Sequence, residues 1–343
     1  MANRSSVMED ELYHIYEEWP RYFEDAINVN CKPDHEPDFY KSIILCGMGG
    51  SATPCDIIND IMLAYGKIPA IVIRGPHMPS FVDKHTLVLI NSASGNTEEV
   101  NMAMEQALQK KAEVICISSG GKLKDSAAKY GLKHIAIKKL RFPRAALPYL
   151  LMPGIKIVSP FLKKSIDNEL ASISKNLSTI SKNMSIDVPI ESSPAKKMAT
   201  FVSTGMTFCL TSPFLISVGI RFKNSLNENS KMHCINESVL EASHNEVVPL
   251  TSVSSNSINP KILFLRWAGD HFLVQQRFTK MGALFTKKNR PLIDFKSTHR
   301  SLINALISTI YILDYSTLYV AMARDMNPAL TPAIDILKES NSN

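Results

Sequence analysis

The chain has no Cys-x-x-Cys pair: its six cysteines, Cys31, Cys46, Cys55, Cys116, Cys209 and Cys234, stand far apart in 343 residues. That spacing excludes a zinc ribbon, a thioredoxin-type dithiol and a disulfide scaffold, and it fits a reduced, cytoplasmic protein. No cluster of ligating side chains has metal-site spacing, so no metal is expected. No apolar run flanked by Lys or Arg opens the sequence, so no secretory leader is expected. The one long uncharged stretch, Phe201 to Ile220, carries seven Ser, Thr or Pro residues and is interrupted by Gly205 and Pro213. A span needs ~20 mostly apolar residues, so the stretch reads as a buried strand, turn and helix, and no membrane partner is expected. No dense Lys/Arg stripe with interleaved aromatics appears, which argues against a nucleic-acid partner.

What is present is close to globular averages, with 45% hydrophobic and 20% charged residues. The length favours two domains. The net charge of +6 is uneven: residues 1–40 hold 3 basic and 10 acidic side chains, so the rest of the chain is distinctly basic. A moderately basic body suits a small anionic substrate, although most of these charges also fit a solvated surface.

Apolar spacing near 3.6 over residues 8–28 (Glu9, Leu12, Ile15, Tyr16, Trp19, Phe23, Ile27) predicts an opening amphipathic helix. Strand-length apolar runs at Ser42–Cys46, Ala70–Ile73, Thr86–Asn91, Glu113–Ser118 and His134–Ile137 then alternate with helical patterns. Such alternation indicates a parallel sheet covered on both faces. Residues 155–195 are polar and read as a helical connection. Alternation resumes with strand candidates at Thr200–Thr204, Lys261–Trp267 and Pro291–Phe295, and helices at Pro213–Lys223, His271–Phe285 and Arg300–Met322. The expected division is 1–154, a connection over 155–195, and 196–343, with an α/β sheet in each half.

Two loops carry chemistry. Gly47-Met48-Gly49-Gly50-Ser51 follows one strand and precedes a helix, where glycines let the backbone approach an anion. Gly47, Gly49 and Ala52 also fit a loose dinucleotide pattern, but Arg74 stands near the position where NAD binding expects an acid, which leaves only NADP open. Ser92-Ala93-Ser94-Gly95-Asn96-Thr97 follows a second strand. Capping by Thr97 or Asn96 explains one hydroxyl of this set, whereas three hydroxyls around a glycine suit a phosphate monoester.

These two loops are similar to the marks of the sugar isomerase (SIS) domain, which binds phosphosugars. Four further blocks narrow the likeness: Pro143-Arg144-Ala145-Ala146-Leu147, Asn227-Glu228-Asn229-Ser230-Lys231, Glu241-Ala242-Ser243-His244-Asn245-Glu246, and Leu330-Thr331-Pro332 with Leu337-Lys338. In this order they resemble the bifunctional phosphoglucose/phosphomannose isomerase family over nearly the whole chain. The resemblance implies two SIS domains, each a doubly wound, mostly parallel sheet flanked by helices. It also implies sugar-phosphate substrates, no cofactor, and a homodimer in which His244 reaches the partner subunit's site. Phosphate falls to Gly49, Gly50, Ser51, Ser92, Ser94 and Thr97. Glu228 shuttles the proton between C1 and C2, His244 opens the ring, and Lys338 contacts the ring oxygen or hydroxyl. Arg144 supports the intermediate's negative charge, and Thr331 leaves room for either C2 epimer.

Without that likeness, Glu228 would read as a helix-end charge beside Lys231, Lys338 as a surface lysine, Arg144 as a hinge residue, and His244 as exposed or structural. Glu246 either orients His244 or caps an element. The chain departs from the family pattern at Pro54-Cys55 and at Leu313. A non-catalytic phosphosugar-binding regulator is the alternative, weakened by the lack of a basic helix-turn-helix. An amino-sugar isomerase is weakened by the lack of an N-terminal Cys nucleophile.

Overall fold

The computed structural model describes residues 11–29, 31–252 and 259–339, with side chains through residue 337. Two compact units are present, Glu18–Leu177 with Ser301–Leu306, and Met1–Glu17 with Ser178–Arg300 and Ile307–Asn343. The division falls within the opening helical stretch, which breaks at Glu18 just before Pro20. The part of that stretch before residue 11, including Glu9, lies outside the described residues.

The first unit runs α1 (Trp19–Ala26), β1 (Ser42–Cys46), α2 (Thr53–Tyr65), β2 (Ala70–Ile73), β3 (Thr86–Ser92), α3 (Glu98–Gln109), β4 (Glu113–Ser118), α4 (Gly121–Tyr130), β5 (Lys133–Ala136), α5 (Leu147–Val158) and most of α6 (Asp167–Ser181). Its five strands are parallel in the order β2-β1-β3-β4-β5. β1 and β3 are buried along their whole length, which is why they read as unbroken apolar runs. The chain steps one way from β1 to β2 and the other way from β3 onward. The crevice beyond the C-terminal ends of β1 and β3 is therefore a topological switch point, where open α/β sheets bind ligands. Against this sheet, the buried Trp19 indole donates to the Ala145 carbonyl at 3.0 Å. That bond roots the short turn Pro143–Ala146, which carries Arg144.

The second unit runs α7 (Pro194–Val202), β6 (Met206–Thr211), α8 (Ile216–Ser230), β7 (Cys234–Ser238), α9 (Val239–Ala242), α10 (Val247–Thr251), β8 (Pro260–Trp267), α11 (Phe272–Lys287), β9 (Leu292–Ser297), most of α12 (Leu302–Ala323) and α13 (Pro332–Glu339). Its four strands are parallel in the order β7-β6-β8-β9. The strand expected at Thr200–Thr204 is not there. Ser193 caps α7 by accepting from Lys196 N–H, Pro194 starts that helix, and the strand begins only after Gly205, at Met206. The uncharged stretch opens on the end of α7, which was not expected, and then gives the expected strand, turn and helix. α12 is long and apolar enough to cross a membrane, but 89% of its apolar window is buried inside the protein, as in a core helix.

A polar ladder joins α8 to α12 in the buried interior. Arg221 Nη2 donates to Asp314 Oδ2 at 2.8 Å and to the Tyr16 hydroxyl at 3.2 Å, while its Nε lies 3.1–3.2 Å from both carboxylate oxygens. Ser225 donates to Asp314 at 2.7 Å, Asn229 to the Thr317 hydroxyl at 2.8 Å, and Ser230 to the Thr317 carbonyl at 2.7 Å. Burial works against the guanidinium's charge, yet Asp314 holds its pKa above the ordinary arginine value. Removing one partner strands a buried charge, so Asp314→Ala is expected to cost about 3–5 kcal/mol. Arg221→Met combined with Asp314→Leu should recover most of that loss. Urea unfolding of the three variants checks both statements.

Candidate functional site

In the first unit the two glycine- and serine-rich loops lie side by side at the switch point. Gly49 opens a tight turn with φ of 53°, and Ser51 closes it. The Ser51 hydroxyl accepts the Ala93 N–H at 2.9 Å, tying the loop after β1 to the loop after β3. A Cβ at Gly50 would lie 3.0 Å from Arg144 Cα, so a larger residue would push the Arg144 turn back by a few tenths of an ångström. Arg144 itself is buried, with its guanidinium 5.6 Å from the Phe142 ring centre. Pro54 sits in the first turn of α2, where its missing N–H costs nothing. The Cys55 thiol next to it lies 3.8 Å from the Ser51 carbonyl and accepts from Asn91 at 3.4 Å. Burial pushes that thiol well above its ordinary pKa, and Cys46 and Cys116 up to about 12, so all three are inert at neutral pH.

The three hydroxyls of the second loop divide. Ser92 is fully buried; its oxygen accepts the Gly95 N–H at 3.0 Å and lies 3.2 Å from the Thr97 hydroxyl. It shapes the loop from within. Ser94 is exposed and Thr97 half-exposed. Neither Thr97 nor Asn96 caps α3 with its side chain: Asn96 instead accepts the Lys122 N–H at 3.0 Å. Among the described residues, the N–H groups of Gly50, Ser94 and Thr97 have no hydrogen-bond acceptor. The result is a concave set of donors at the start of a helix, which suits an anion.

A third loop, after β4, was invisible as a site feature in the sequence. Ser119 donates to the Ala93 carbonyl at 2.7 Å, and Leu123 N–H to the Gly95 carbonyl at 2.9 Å. Gly95 has a φ of 73°, and a Cβ there would lie 1.8 Å from the Gly120 carbonyl oxygen. The signal was Ser118-Ser119-Gly120-Gly121 directly after a strand. Arg74, the cation near the nucleotide-reading position, is paired with buried Asp56.

The second unit holds Glu228 in the last turn of α8, half-buried, on the helix that the polar ladder locks. His244 lies in the exposed turn between α9 and α10, its ring without a hydrogen-bond partner among the described residues; Glu246 does not hold it. Thr331 precedes α13 and its carbonyl accepts the Ile334 N–H at 3.0 Å. Lys338 is in α13, two turns on, with its side chain outside the described residues. Between the ends of β6 and β8 lies the Asp270 carboxylate, bonded to the Ser212 hydroxyl and to Trp267 N–H at 3.0 Å, its pKa raised by burial. Among the described residues no three His, Cys, Asp or Glu side chains converge on a possible metal position.

A curated relative from Caldicellulosiruptor bescii, the bifunctional phosphoglucose/phosphomannose isomerase, is 31% identical over 341 residues, covering 96% of this chain and 98% of its own. The chain belongs to that family. The isomerase of the same name from Thermoplasma volcanium is 29% identical over 88% of this chain and 91% of its own. Residues 191–340 match the family model described as the bacterial phospho-glucose isomerase C-terminal SIS domain. Among solved structures, a hypothetical protein from Thermus thermophilus shares the fold with a TM-score of 0.70 at 15% identity, covering 97% of this chain and 88% of that one. For a member of this isomerase family, the exposed hydroxyls and not Ser92 should bear on ligand. Ser94→Ala and Thr97→Val are each expected to weaken fructose 6-phosphate binding by about tenfold, the worth of one hydrogen bond to a charged group. Calorimetric titration measures it, and Gly50→Val should weaken binding further by displacing the Arg144 turn.

Proposed function

We propose that the protein interconverts fructose 6-phosphate with glucose 6-phosphate and with mannose 6-phosphate. The observation that carries this reading is the donor nest at the switch point, roofed by the Arg144 turn, in a chain of this family. In the reading, Ser51, Ser94 and Thr97 hydroxyls and the N–H groups of Gly49, Gly50, Ser94 and Thr97 hold the substrate's phosphate, with Ser92 shaping the loop. Each unit is a SIS domain, and the protein works in the cytoplasm.

The chemistry is an internal redox exchange that needs no external oxidant. His244 passes a proton between the anomeric hydroxyl and the ring oxygen, with Lys338 stabilising the oxygen, and the sugar opens. Glu228 removes the proton from C2 of the aldose, electrons move onto the C1 oxygen, and an enediolate forms. The proton of the C2 hydroxyl passes to the C1 oxygen, and as the carbonyl forms at C2 the same carboxyl returns its proton to C1, leaving an alcohol at C1 and a ketone at C2. The Arg144 guanidinium, charged at any physiological pH, stabilises the enediolate's negative oxygen. Thr331 is small enough to admit the C2 hydroxyl of either aldose. The reading includes a homodimer in which His244 serves the partner's site. A His244 that is exposed and has no hydrogen-bond partner for its ring among the described residues supports this, as do Val248, Phe272 and Leu273 in the same unit, each more than half exposed.

Glu228→Gln should retain fructose 6-phosphate binding and lose turnover by about 10²–10⁴-fold, the range of one acid–base group. Quantifying both aldose products from fructose 6-phosphate tests it; undiminished turnover removes Glu228 from the reaction, and binding without any turnover by the wild type leaves a sensor. EDTA should leave the rate unchanged. Mixing inactive Glu228→Gln and His244→Ala protein after subunit exchange should restore activity, because one site per mixed dimer then has both groups. No recovery would place His244 in its own subunit's chemistry.

A further inference from the structure

Lys231 stands one residue beyond α8 with φ of 54°, a left-handed conformation that L side chains adopt at a cost and that favours glycine at helix ends. A residue held there against its own preference is usually held by what its side chain does. Its ammonium donates to three carbonyl oxygens, those of Glu228 at 2.9 Å, Asn229 at 3.3 Å and Asn327 at 2.6 Å. The first two belong to the last turn of α8, whose carbonyls lack partners within the helix and where a cation is favoured by the helix dipole. The third lies 96 residues away along the chain. Asn327 is no passive acceptor: its side chain accepts the Ala329 N–H at 2.8 Å, two residues before Thr331 and the start of α13.

We infer that Lys231 is a positioning residue, whose ammonium fixes the end of α8 bearing Glu228 against the segment leading into Thr331 and Lys338. The inference rests on the isomerase reading above but concerns a residue that touches no reacting atom. A long flexible cation reaches both segments of chain at once, and its three N–H groups serve three acceptors. With the tie cut, Glu228 and the Thr331 segment drift independently, and displacements of about 1 Å in such a constellation cost on the order of 10²-fold in rate.

Lys231→Gly separates this role from simple helix capping, because glycine is the residue the backbone prefers there. If Lys231 only caps, Lys231→Gly keeps wild-type Tm and kcat. If it positions, the variant keeps its Tm and its KM for fructose 6-phosphate within about threefold, while kcat falls about 10–100-fold. Lys231→Arg should recover part of kcat, and Lys231→Met none. Hydrogen exchange supplies a readout independent of turnover: amides at 326–331 should exchange faster in Lys231→Gly than in the wild type. Unchanged kcat with unchanged exchange overturns the inference. A wild type without isomerase activity overturns the functional reading instead, and the exchange result then decides alone whether the tie exists.

Discussion

The second unit depends on a charge that has nowhere else to go. Arg221 is buried with Asp314, and both are satisfied only when α8 and α12 lie in one register. An apolar seam tolerates sliding and repacking; a carboxylate that accepts from Arg221 and Ser225 together does not. Buried pairs of this kind are costly to assemble and add little net stability, so their main effect is on specificity. Here the specificity is positional. Glu228 lies two turns beyond Arg221 on the same helix, between the Asp314 end of the ladder and its Thr317 end, and inherits the alignment of both.

The first unit meets a different constraint, the N–H groups of Gly50, Ser94 and Thr97 that have no acceptor among the described residues. Bare N–H groups at the end of a buried sheet need a loop that stays open without its ligand. Hydrogen bonds running sideways from loop to loop provide that: Ser51 to Ala93, Ser119 to Ala93, Asn96 to Lys122 and Leu123 to Gly95. Glycine appears where these loops touch. The second unit has an equivalent sheet edge but fills it with Asp270, so a phosphate there would meet a carboxylate. The two sheets are alike in topology and unlike in electrostatics at this edge.

Much of this was legible in the sequence, and the omissions have physical causes. The central strands announced themselves because burial on both faces demands continuous apolar runs. β7 did not, because Cys-Ile-Asn-Glu-Ser is a half-exposed edge strand with no such run. Thr200–Thr204 misled because an uncharged, β-branched stretch carries no mark of the capped helix that ends inside it. The glycine- and hydroxyl-rich loops stood out by their spacing, yet nothing local distinguished Ser92, turned inward at the last position of β3, from Ser94, turned outward. Arg221 and Asp314 are separated by 93 residues, as Lys231 and Asn327 are by 96, and such pairings exist only after folding. Lys231 read as a charge beside the Glu228 side chain, whereas its ammonium grips the Glu228 carbonyl.

The Cys55 sulfur is seated beneath the Ser51 carbonyl with no path to solvent. An electrophile can reach it only when the start of α2 lifts away from the sheet, the same excursion that would take the anion cradle apart. Adduct formation at this one sulfur therefore acts as a clock for opening of the cradle, and an occupied cradle would slow the clock.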